Sequence, residues 1–218
     1  MNLADRIVAC ERCPRLRQHC RDVAATKRRA YRDEDYWGQP IPYFGPVNAQ
    51  LLVLGLAPGN HGANRTGRVF TGDSSGDWLY RALYEHGFAN QPESVSRDDG
   101  LRLRGAAVTC VVKCAPPQNK PNAEEIGNCR PWFEEELRRL RGVRVVLALG
   151  RIAFDGYVRT REFPTRPKFA HGARIDPVGG PTLLASYHPS RQNTNTKRLT
   201  RPMFDAVFAT ARRILAEP

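Results

Sequence analysis

Three groups of residues carry types and spacings that chemistry could use. The stretch from Gly55 to Gly76 holds six glycines in 22 residues, interleaved with Asn60, His61, Asn64, Arg65, Thr66 and Asp73. Glycine lets backbone approach a ligand closely because no Cβ intervenes. A loop this long inside a compact domain is functional or disordered, the bland alternative being an Ω-loop. It has neither the Gly-x-Gly-x-x-Gly of dinucleotide sites nor the Gly-Lys-Ser/Thr ending of a nucleotide-triphosphate loop. The second group is His188 with Ser190, Arg191, Gln192, Asn193 and Lys197 close behind. A histidine can donate a hydrogen bond or a proton to a bound group, and the residues after it are phosphate-contacting types. The third is thiol chemistry. Cys10 and Cys13 form a Cys-x-x-Cys pair, and Cys114 and Cys129 could add two further thiolates. Such a set suits zinc or iron–sulfur, and the spacing does not choose between them. Cys110 reads as a buried small residue, and Cys20 has no evident partner.

The elements that must position these groups follow from apolar runs and turn signals. Strands are expected at Leu51–Gly55, Ala106–Val112, Val143–Gly150 and Thr182–Tyr187, with helices near 76–87, 123–141, 151–158 and 201–216. Asn122 and Glu125 form a capping-box signature. Thr200 can cap the last helix, with Pro202 in its first turn. Continuous apolar strands separated by helices imply a parallel sheet covered on both faces. The fold expected is therefore α/β, a three-layer α/β/α arrangement around a central four-stranded parallel sheet. Ligands of such sheets bind at the carboxyl ends of the strands, where the loops 56–75, 113–121 and 187–199 should converge. Residues 3–20 begin helically. Residues 21–50 read as an ordered arm whose Tyr36, Trp37, Tyr43 and Phe44 pack on the domain.

Composition sets the outer bounds. The 218 residues suffice for one large domain, expected to span 1–218 as a unit. Lys and Arg exceed Asp and Glu by 34 to 22, a net charge of +12, which suits a polyanionic partner. The alternative is arginine on ordinary solvated faces. No run of 18 apolar residues and no signal-peptide centre is visible, so a soluble, cytoplasmic protein without membrane contact is expected. Six cysteines in such a setting point to metal or catalysis, not disulfides. Nothing signals dimerisation, so a monomer is the default.

Together, the Gly55-Leu56-Ala57-Pro58-Gly59 loop after a strand, the His188-Pro189-Ser190 loop after the last strand and the split cysteine pairs closely resemble the uracil-DNA glycosylase superfamily. Within it, the chain is similar to family 5, the broad-specificity iron–sulfur glycosylases of prokaryotes. The resemblance runs from about Cys10 to the last helix. It implies a structural four-iron–four-sulfur cluster held by Cys10, Cys13, Cys114 and Cys129, with zinc as the alternative, and makes residues 1–50 a cluster-binding segment and arm. It also implies DNA containing deaminated bases as partner, with uracil, hypoxanthine and xanthine released by hydrolysis of the N-glycosidic bond. Two departures matter. Strict uracil enzymes carry an acidic or polar water-activating residue where Leu56 and Ala57 stand, and family-4 relatives carry a base-reading Asn where Cys110 stands. The first leaves no water-activating side chain there and is the best support for the alternative of a non-catalytic iron–sulfur or zinc nucleic-acid-binding protein. The second should relax discrimination among bases, with a strict uracil enzyme as the other alternative.

An enzyme of this kind extrudes the base into a pocket, and its transition state has oxocarbenium character. His188 is then the candidate donor to the leaving base, aided by backbone N–H groups of the Gly55–Gly59 loop. Gly55, Ala57, Gly59 and Phe70 should contact the base, with Phe70 stacking on it or serving as a core anchor. Asp73 is the acceptor candidate near the water, although Asp73, Ser74 or Ser75 could simply cap the next helix. Asn119 resembles a family position that holds water or substrate, and would otherwise pass for a turn residue. Asn64, Arg65, Ser190, Arg191, Gln192 and Asn193 should touch DNA, with Lys113 and Lys120 adding charge.

Overall fold

The computed structural model describes residues 1–217. The chain opens with α1 (Leu3–Val8) and α2 (Pro14–Thr26), followed by β1 (Leu51–Gly55), the single turn α3 (Ala63–Thr66) and α4 (Ser74–Glu85). It continues through β2 (Ala106–Cys110), α5 (Ala123–Arg139), β3 (Val145–Leu149) and α6 (Arg151–Val158). The last elements are β4 (Arg174–Ile175), β5 (Thr182–Ser186), α7 (Arg191–Asn195) and α8 (Arg201–Ala216).

The sheet order is β2-β1-β3-β5-β4. The four expected strands are all present and parallel, with Leu51 opposite Ala106 on one side and Val145 on the other, and Val145 opposite Thr182. The sheet nevertheless has five strands. Two-residue β4 pairs antiparallel with β5, Arg174 opposite Leu184. An edge this short carries no apolar run, so periodicity offers nothing to find it by. At the opposite edge Phe44 exchanges two backbone hydrogen bonds with Val108, at 2.9 and 2.8 Å. This lays the arm along β2, which protects the exposed strand.

The period of two along β1 divides the core. Leu51 and Val53 join the cluster built with Leu79 and Leu83 of α4 and Phe204 and Phe208 of α8. Leu52 and Leu54 point the other way, into the cluster holding Leu16 of α2, Phe133 of α5 and Phe154 of α6. Helices therefore cover both faces. The capping box at Asn122 and Glu125 forms in both directions, and Thr200 accepts the Met203 N–H. Helix α2 runs on to Thr26, further than the arm's composition suggested.

Because β1 lies between β2 and β3, the chain leaves it in one direction and returns on the other side. This is the strand-order reversal at which α/β sheets open a crevice.

Candidate active site

The loops leaving β1, β2 and β5 meet over that crevice and enclose a cavity of about 580 Å³, within the range of small-molecule sites. Ala57, Gly59, Phe70, Asp73, Asn119 and His188 all line it. Of the residues expected to touch the base or act in the chemistry, only Gly55 stands behind this lining.

Asp73 caps α4 with one oxygen only. Oδ1 accepts the N–H groups of Ser75 and Gly76, each at 3.0 Å, and caps α4. Oδ2 lies against Gly59 and Gly62, where added Cβ atoms would stand 3.0 and 2.1 Å away. No described residue donates to Oδ2. Burial raises the carboxyl pKa, opposed by the two backbone N–H bonds, so the carboxylate is more basic than a solvated one.

The His188 ring has no hydrogen-bond partner among the described residues, although Asn193 Nδ2 donates to its backbone carbonyl at 2.8 Å. Burial depresses its pKa to about 4, so the ring is a neutral hydrogen-bond donor and not an imidazolium. Its centroid lies 5.9 Å from that of Phe70, with 30° between the planes. Phe70 has φ of 54°, and Gln118 and Asn119 follow one another at 54° and 57°. Positive φ is uncommon outside glycine and marks backbone held by its surroundings. Asn tolerates it better than Gln.

Ser190 and Arg191 line the cavity. Ser190 caps α7, and Arg191 Nε donates to Ser74 Oγ at 3.2 Å. Gln192 and Lys120 are exposed. Three residues expected to touch DNA are buried with partners inside the protein. Asn64 is fully buried and donates from Nδ2 to the Cys20 carbonyl at 3.3 Å. Arg65 is buried too: it pairs with Glu34, stacks on Tyr31 at 4.0 Å and donates to His61 O and Gly72 O. Lys113 is 1% exposed and pairs with Glu136 at 2.6 Å. The loop closes on itself by means of its polar side chains, a demand that composition does not distinguish from ligand contact. Asn193 is half-buried, and its amide holds His188. The sequence marked Arg28 only within a basic run and His61 only as one polar residue of the loop, yet both line the cavity.

Cys10, Cys13, Cys114 and Cys129 line a second, small cavity between α2 and α5. Among the described residues no group of three or more His, Cys, Asp or Glu is arranged to hold a single metal ion. Four thiolates on one tetrahedral zinc stand roughly 3.8 Å apart, given Zn–S bonds of about 2.3 Å, whereas a multinuclear cluster spreads them around its own volume. The surroundings suit thiolates. Lys113 N donates to Cys129 Sγ and Trp132 Nε1 to Cys10 Sγ, both at 3.2 Å. Burial pushes Cys129 up to about 12 and raises Cys13, so ionisation here needs a bound cation's charge. Cys20 lies beside Cys114 and donates to Ala115 O at 3.5 Å. Cys110 is buried at the end of β2.

A strand-order crevice holding a half-buried carboxylate, a histidine and an aromatic wall has the makings of an α/β enzyme's active site. Residues 42–212 match the uracil DNA glycosylase superfamily, and the chain belongs to it. It is 51% identical over 211 residues to the type-5 uracil-DNA glycosylase of Thermus thermophilus, covering 95% of this chain and 94% of that protein. The type-5 enzyme of Pyrobaculum aerophilum is 46% identical over 91% of this chain and 86% of its own length. A type-4 enzyme of Thermotoga maritima is 27% identical over 67% of each chain. No described helix is long and apolar enough to cross a membrane.

Proposed function

We propose that this protein is a monofunctional DNA glycosylase that flips uracil, hypoxanthine and xanthine out of DNA and hydrolyses the N-glycosidic bond, leaving an abasic site. The observation that carries this reading is the single cavity bringing together Asp73 Oδ2, the unpartnered His188 ring and Phe70. Phe70 stacks on the extruded base. As the bond from C1′ to the base nitrogen breaks, its electron pair passes to the base, where neutral His188 donates to a carbonyl oxygen. Water adds to C1′ and gives up its proton, with Asp73 accepting it and offsetting the sugar's positive charge. Asn119 holds the water or the base edge from the loop after β2. Leu56 and Ala57 also line the cavity and offer no polar side chain to activate water, which leaves that task to Asp73. Cys110, buried at the end of β2, stands where a base-reading amide would discriminate. That supports a substrate range beyond uracil.

Cys10, Cys13, Cys114 and Cys129 would hold a four-iron–four-sulfur cluster. It would join the start of α2 to α5 and the loop bearing Asn119, with no part in the chemistry. Visible absorbance with matching iron and sulfide content tests this. Stoichiometric zinc without colour would replace the cluster with zinc.

End-labelled duplexes with one uracil or one hypoxanthine, incubated without added metal and then treated with alkali, test the activity. Strand breaks at both bases only after alkali are expected. Breaks at uracil alone would restrict the range, and binding without release of either base would overturn the reading.

A further inference from the structure

His61 lines the cavity, yet the chemistry above leaves it without a task. Its Nδ1 is 3.1 Å from the Tyr36 hydroxyl, and the rings meet edge to face at 77°. The same hydroxyl oxygen accepts the backbone N–H of Arg28 at 3.3 Å. A phenol oxygen already receiving an N–H has its own proton free for the other neighbour. With Tyr36 donating to Nδ1, Nε2 carries the ring's proton. Partial burial and the charges of Arg28 and Arg65 hold His61 below the ordinary histidine pKa, which keeps the ring in this neutral form. The ring makes no other hydrogen bond among the described residues.

The surroundings decide what this donor is for. Arg28 is exposed, lines the cavity and has no acidic partner among the described residues. Of the two cations acting on His61, Arg65 is paired with Glu34 and Arg28 is not, so an anion gains from Arg28 while a neutral base edge does not. The anions that DNA brings to such a cavity are its phosphates, and half or more of protein–DNA hydrogen bonds end on phosphate or sugar. We propose that His61, with its Nε2 proton fixed by Tyr36, binds the backbone phosphate beside the extruded nucleotide together with Arg28. This rests on the glycosylase reading, because the phosphate meant is the one next to a flipped base.

The test is a cycle read in affinity. The ligands are duplexes carrying a tetrahydrofuran abasic analogue, with neutral methylphosphonates replacing the flanking phosphates one at a time. At one position the wild-type protein should lose about tenfold in affinity, the scale of one hydrogen bond to a charged group. His61→Ala should lose most of that on the natural duplex, the rest being Arg28's share, and nothing further on that methylphosphonate duplex. His61→Gln, whose amide can reach as Nε2 does, should recover most of the loss, and Tyr36→Phe should fall between. Losses that multiply at every position, or a His61→Ala protein that binds like wild type, would overturn the proposal. Uracil release by the wild type, measured alongside, keeps the readings apart: binding without release would sink the glycosylase and leave the phosphate contact to its own cycle.

Discussion

The Cβ that Gly55 lacks would stand 2.7 Å from two carbons of the Phe70 ring. At the far end of the same loop, a Cβ on Gly76 would fall 1.8 Å from the Phe70 carbonyl oxygen. The ring is thus seated against the end of β1 with its backbone held at φ of 54°, a conformation that costs about 1–3 kcal/mol outside glycine. The two glycines act on Phe70, and Phe70 forms the cavity wall.

Gly55→Ala should therefore displace the ring without touching any ligand. Overpacking of this kind costs about 1–3 kcal/mol, visible as a lower melting temperature. Uracil release in single turnover should drop by about tenfold or more, since a misplaced positioning group costs rate steeply. Full activity in a destabilised Gly55→Ala protein would show that Phe70's placement does not matter to the reaction.

How far the sequence could be read depended on which physical signal each feature leaves. Strands β1, β2, β3 and β5 are buried on both faces, so each reads as an unbroken apolar run, while the two residues of β4 leave no pattern. The convergence of Asp73, Asn119 and His188 followed from the rule that such sheets bind at their carboxyl ends. The fate of Asn64, Arg65 and Lys113 did not, because a polar side chain looks the same in sequence whether it meets ligand or closes a loop. Asn193 shows the same ambiguity: its type suited phosphate, and its amide holds the His188 carbonyl.

Asn193→Ala removes that 2.8 Å bond, worth roughly 1 kcal/mol to stability. The larger effect should be on the placement of His188. Base release should fall by about one order of magnitude while affinity for abasic DNA changes little. Comparing kcat with the dissociation constant checks this, and an equal loss in both would return Asn193 to the DNA-contacting group.

Asp73→Asn and Asp73→Ala separate the two oxygens. Asn is as good a cap as Asp, whereas Ala should cost about 1 kcal/mol of stability. Both should lose activity by about 10²–10⁴-fold, the scale of acid–base participation. The pH profile follows from the raised Asp73 and the depressed His188. Activity should fall as acid protonates Asp73, above the usual aspartate value of 3.8. His188 stays neutral down to about 4 and adds no limb at the ordinary 6.5. The residual activity of His188→Gln should keep the acid limb, and that of Asp73→Asn should lose it. In stability the signs oppose. For His188 the unfolded chain binds protons first, so stability drops as pH falls from 6.5 towards 4. For Asp73 the native state binds first, so its contribution is present below 3.8 and lost as pH rises through its raised native value.

Lys113 shows what a basic residue does here when it is buried. Its ammonium reaches Glu136 Oε2 at 2.6 Å, Thr109 Oγ1 at 2.7 Å and Cys110 O at 2.7 Å, while Glu136 Oε1 accepts the Tyr43 N–H at 3.0 Å. The pair pins the arm and α5 to the end of β2, beside the backbone N–H that Lys113 gives to Cys129. Lys113→Met would leave Glu136 buried without its cation, costing about 3–5 kcal/mol, and Lys113→Met with Glu136→Gln should recover a large part of that. Chemical denaturation reads both values. Neither protein should change the salt dependence of DNA binding, because Lys113 meets no phosphate. Arg191→Ala, by contrast, should flatten the plot of log K against log salt by about 0.9, one phosphate's share. If Lys113→Met flattened that plot while remaining folded, its ammonium would be reaching DNA, and the buried pair would not describe the protein in solution.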